Sequence, residues 1–96
     1  MQYYHDDIWS KPGFSRYGAL WTPEEKDKLF IEITNGKNVE NIAKEHQRTT
    51  GEIIIITIHI ALEMINNGIS LEEASSIVKM DPTVIKVFKD KADKKN

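Results

Sequence analysis

Ninety-six residues with 40% hydrophobic content allow one small core, because a chain of this length buries only about 60 to 65% of its unfolded surface, and that leaves little room for an enzyme cleft. Cysteine is absent, which removes disulfides, thiolate nucleophiles and cysteine zinc sites together and fits a reducing, intracellular compartment. With a net charge of −2, any affinity for nucleic acid must come from local patches of cations and not from the global field.

In chain order, residues 1–20 contain Pro12, the turn-formers Gly13, Ser15 and Gly18 and scattered aromatics without a sustained period. They read as an N-terminal arm, followed by a single helical domain over 21–95. Tyr3, Tyr4, Ile8, Trp9, Phe14 and Tyr17 give the arm large apolar side chains that a purely solvated tail would not need. Trp9 and Phe14 are therefore candidate anchors, on the domain itself or on a partner.

A first helix is expected from Thr22-Pro23-Glu24-Glu25. Threonine serves as cap, proline sits where its missing N–H is harmless, and Glu25 is placed to reach back to the cap amide. Leu29, Phe30 and Ile33 form its apolar stripe, and Asn35-Gly36 supplies the left-handed stop. The second helix is short. Asn38 caps it, Val39, Ile42 and Ala43 face inward, and Lys44, Glu45 and His46 face outward before a turn over Gln47 to Thr49.

The third segment carries six isoleucines between Ile53 and Ile60. β-Branched residues favour strands, so a strand over 52–60 competes with a helix. The apolar run continues through Ala61, Leu62, Met64 and Ile65 to Asn66-Asn67-Gly68, a length uncommon for strands, and this favours helix. Thr57, His59 and Glu63 interrupt the run, which is too short to span about 30 Å of hydrocarbon, and no membrane segment is expected. A fourth helix starts at Ser70-Leu71-Glu72-Glu73 and runs to Met80. A fifth has Asp81 as cap and Pro82 at its first position, with Val84, Ile85, Val87 and Phe88 expected to be buried.

Shifting the chain by 32 residues pairs Phe30 with Leu62, Ile33 with Ile65, Asn35-Gly36 with Asn67-Gly68, Asn38 with Ser70, Ile42 with Ala74 and Ile53 with Ile85. The expected fold is accordingly all-α: a compact bundle of about five helices, in two helix-turn-helix units (21–61 and 62–95) that share the third helix.

Trp21-Thr22-Pro23-Glu24-Glu25, Leu29, Gly36, Asn41-Ile42-Ala43, Arg48-Thr49 and Gly51 together resemble the Myb/SANT-like helix-turn-helix family, in the small form common in regulators and in proteins of large DNA viruses. The resemblance covers about residues 20 to 62, and residues 62 to 92 resemble a second, generic helix-turn-helix. It implies double-stranded DNA as a partner, with the third helix in the major groove and its side chains on phosphates and base edges. The cations available for phosphate contacts are Lys37, Lys44 and Arg48 in the first unit and Lys79, Lys86 and Lys89 in the second.

The chemistry of the third helix opposes that role. No lysine or arginine occurs between Thr49 and Val78, while Glu52, Glu63, Glu72 and Glu73 do. Isoleucine offers base edges no hydrogen bond. Ile54, Ile55, Ile58 and Leu62 are instead candidates for a homodimer or protein-partner interface, and the competing reading makes the same helix the central core helix with no partner. Two functions follow: a small DNA-associated regulator or architectural factor that self-associates, or a protein-interaction or virion assembly module that keeps the frame without binding DNA.

No catalytic pattern is evident. His5, Asp6 and Asp7 lack a second cluster of ligands at metal-binding spacing, His46 and His59 lie near no nucleophile motif, and a glycine-rich phosphate loop is missing. The expectation is a non-enzyme without metal, cofactor or small-molecule substrate.

Overall fold

The computed structural model describes residues 20–94, and Trp9 and Phe14 lie outside them. The described residues form five helices and no strand: α1 (Pro23–Thr34), α2 (Val39–His46), α3 (Thr50–Asn66), α4 (Leu71–Val78) and α5 (Pro82–Lys94). The isoleucine run is thus helical. α3 extends over 17 residues, because its stop lies at Asn67-Gly68 and nothing before it breaks the backbone ladder.

Each helix start is written in side-chain chemistry. The Thr22 hydroxyl accepts the Glu25 amide at 3.1 Å, Asn38 Oδ1 accepts the Asn41 amide at 2.9 Å, and the Ser70 hydroxyl accepts the Glu73 amide at 3.1 Å. Asp81 Oδ1 accepts the Thr83 amide at 2.8 Å ahead of α5. α3 opens with a reciprocal box: the Glu52 amide donates to Thr49 Oγ1 at 3.1 Å, and the Thr49 amide donates to Glu52 Oε1 at 3.1 Å. Each of these bonds satisfies an amide that a helix start leaves without an intrahelical partner.

The helix ends use left-handed residues. Gly36 (φ 83°) and Gly68 (φ 104°) stop α1 and α3 at little steric cost. Gln47 (φ 59°) and Lys79 (φ 58°) adopt the same region after α2 and α4 despite carrying side chains, at a cost of about 1–2 kcal/mol each relative to the right-handed well. Gln47→Gly and Lys79→Gly are therefore each expected to raise stability by about 0.5–1 kcal/mol. The check is a higher urea midpoint at unchanged slope.

Two compact units divide within α3, between Ile55 and Ile56. In the first, Leu29, Ile33, Ile42, Ala43 and Ile53 form the apolar interior; in the second, Ile58, Ala61, Ala74, Val78 and Ile85 do. The repeat is visible in the element boundaries. α2 and α4 run from Val39 to His46 and from Leu71 to Val78, α1 and α3 end at Thr34 and Asn66, and α3 and α5 begin at Thr50 and Pro82, each pair 32 residues apart. Hydrogen bonds repeat as well: the Gly36 amide donates to Ile33 O as Gly68 does to Ile65 O, and the Arg48 amide donates to Ala43 O as Met80 does to Ser75 O.

Burial departs from expectation at several positions. α4 ends at Val78, where the left-handed Lys79 turns the chain before Met80. On α5 only one stripe can face inward, and it is centred on Ile85, with Phe88 and Lys89 half-buried. Val84 and Val87 lie a third to half a turn away and are exposed. Phe30 and Val39 are half-buried.

Candidate functional site

α2 and α3 are joined by the three-residue turn Gln47–Thr49 and cross at 105°, within the range of about 90–120° of helix-turn-helix pairs. The frame expected from the sequence is present, but the side chains assigned to its surface are placed differently.

Arg48 is 1% exposed. Its guanidinium forks onto the Glu25 carboxylate, Nε to Oε2 at 2.9 Å and Nη2 to Oε1 at 2.8 Å. Nη2 also donates to the Leu20 carbonyl at 3.2 Å and Nη1 to Glu52 Oε2 at 3.3 Å. The Trp21 ring covers its Cζ at 4.0 Å. A guanidinium enclosed this way turns no face to solvent, and the position expected to offer a phosphate contact is buried.

His46, expected outside, is buried as well. Its Nδ1 lies 2.8 Å from Glu25 Oε2 and its Nε2 lies 2.7 Å from Glu32 Oε1, while the Trp21 ring sits 6.1 Å away, centroid to centroid. Glu25 and Glu32 are seven residues apart, so two turns of α1 put them on one face with Leu29 between. The Glu25 carboxylate, expected to reach back to the cap, takes Arg48 and His46. Among the described residues every buried side-chain nitrogen and oxygen has a hydrogen-bond partner.

Lys37 is half-buried and bonded to Glu45, with Glu32 Oε2 at 3.4 Å. The hydrogen bond to Glu45 holds the Lys37 ammonium above its ordinary value, and the same bond holds the Glu45 carboxyl below its own. Lys44 and Lys79 are exposed. Lys86 pairs with Asp90 at 3.0 Å and Lys89 with Asp93 at 2.9 Å, the second pair raising the Lys89 ammonium above its usual range. These i,i+4 partners offset the cations, so α5 presents a mixed-sign face.

The interface candidates separate. Ile54 and Ile55 are 39% and 41% exposed. Ile58 is 1% exposed and Leu62 half-buried. From Thr57 onward the inward positions of α3 are 57, 58 and 61, so Ile58 belongs to the interior and is unavailable to a partner. His59 and Glu63 are exposed.

An open groove beside the ionic cluster is lined by Thr22, Glu24, Glu25, Lys28, Glu45 and His46. Among the described residues no group of three or more acidic or histidine side chains is placed to hold a metal ion, and no single helix is long and apolar enough to cross a membrane. Neither family models, nor curated proteins, nor solved structures give a match to this chain.

Proposed function

We propose that this chain is a non-catalytic helix-turn-helix protein that acts by protein contact, self-association through Ile54 and Ile55 foremost, instead of by reading a DNA groove. One observation carries the reading: the outward residues of α3 are Thr50, Gly51, Ile54, Ile55, His59, Glu63 and Asn66, with no lysine or arginine among them. A groove-reading helix needs donors for phosphate and base edges. An apolar pair beside exposed polar residues suits the centre of a protein interface.

The DNA-associated reading draws support from the 105° crossing of α2 and α3 and from the Myb/SANT-like residues between Trp21 and Gly51. On that reading Lys44 and Lys79, both exposed, would carry the phosphate contacts.

Two measurements separate these readings. Light scattering at micromolar concentration is expected to give a dimer for the native chain and a monomer for Ile55→Asp; a native monomer rejects self-association. A gel shift with duplex DNA in about 50 mM salt is expected to show no binding, and a salt-sensitive complex would favour the DNA reading.

A further inference from the structure

The repeat allows the ionic cluster of the first unit to be compared with its own counterpart. At 32 residues further along, Glu25 corresponds to Thr57, Glu32 to Met64, His46 to Val78 and Arg48 to Met80. Thr57 and Val78 are buried, and Met64 and Met80 are half-buried. The same helix-turn-helix motif, with matching helix boundaries, thus closes once around charges and once around uncharged side chains, three of them apolar and one a threonine. Replacing a buried ionic network by apolar residues of similar volume is often neutral or stabilising. The motif does not require the charges, and what the charged version adds is a proton.

That proton follows from counting donors. An ionised carboxylate only accepts hydrogen bonds, and a neutral imidazole has one N–H. His46 has a carboxylate oxygen at hydrogen-bond distance on each ring nitrogen, Glu25 at 2.8 Å and Glu32 at 2.7 Å. Both contacts are bonds only when the three groups together hold one proton more than neutral histidine brings, whichever of them carries it. Without it, a ring lone pair faces a carboxylate across one of these short contacts, and His46 itself is buried.

We infer that the Glu25–His46–Glu32 bridge, clamped by Arg48, is a proton-operated lock on the first unit, closed when the extra proton is bound and loosened when it leaves. The surrounding charges come from every adjoining element: Glu24 and Lys28 of α1 and Glu45 of α2 line the neighbouring groove. Lys37, before α2, bridges Glu32 and Glu45, and Arg48 joins Glu25 to Glu52 of α3. Trp21 caps the arginine. The sign is fixed by this arrangement. A bound proton that the folded unit needs and the unfolded chain does not makes stability fall as pH rises through the histidine range.

The test is urea unfolding of the full chain at about pH 5.5 and about pH 8, on either side of the ordinary histidine value of about 6.5. The native chain is expected to lose about tenfold or more in its folding constant across that interval, the size of one hydrogen bond between charged groups. His46→Gln and the four-residue swap Glu25→Thr, Glu32→Met, His46→Val, Arg48→Met are expected to flatten the dependence. A native chain with equal stability at both pH values overturns the lock, as does a variant that keeps the native slope. If His46→Gln fails to fold, the swap carries the comparison; a swap that fails to fold overturns the premise that the motif does without the charges.

Discussion

Arg48→Ala is expected to lower folding stability by about 3–5 kcal/mol, the largest single-site loss predicted for this chain. The side chain is buried and forked onto Glu25, and removing one partner of a buried ion pair leaves the other charge uncompensated. Glu52 and the Leu20 carbonyl lose a donor at the same time. Arg48→Lys is not a conservative change, because an ammonium supplies neither the bidentate fork nor the stacking on Trp21. Urea unfolding of Arg48→Ala, Glu25→Thr and the double variant closes a cycle: the double is expected to be more stable than the sum of the single losses predicts. Additive losses would mean that the pair contributes no coupling, and a loss under about 1 kcal/mol for Arg48→Ala would mean that the arginine is solvated.

Much of the fold was legible because helix punctuation is local. Thr22, Asn38, Ser70 and Asp81 each announce a start through bonds two or three residues long, and Gly36 and Gly68 announce two stops. The 32-residue repeat was legible for the same reason. The ends at Gln47 and Lys79 were harder to place, since neither residue is one that favours the left-handed region and the packing of the turn imposes it. The Thr49–Glu52 box is a start signal of the same local kind, a threonine cap with glutamate three residues on, although the β-branched isoleucines that follow it also fit a strand. The ionic cluster was not legible. Its bonds join residues 14 to 23 positions apart, and in sequence a buried arginine and histidine look the same as exposed ones. The available signal was the placement of Glu25 and Glu32 on the face of α1 that also carries Leu29, where two acids on an apolar stripe imply cations from elsewhere.

Ile53→Ala is expected to cost about 2–5 kcal/mol, whereas Ile54→Ala and Ile55→Ala, one and two residues on, are expected to cost less than about 1 kcal/mol in the isolated chain. Ile53 has no exposed surface, and truncating it removes transfer energy and leaves a cavity in a unit too small to close around it. Ile54 and Ile55 keep roughly two-fifths of their surface in water, and alanine's better helix propensity, worth several tenths of a kcal/mol, offsets part of the packing they lose. Ile85, the repeat equivalent of Ile53 and likewise fully buried, is expected to behave as Ile53 does. Denaturant unfolding at low protein concentration reads these differences, and concentration adds a second axis. A self-associating surface links stability to protein concentration, so Ile54→Ala and Ile55→Ala should lose the concentration dependence of the native chain while Ile53→Ala retains it in whatever fraction still folds. Three equal losses at all concentrations would place all three isoleucines in one core and remove the basis for an interface on α3.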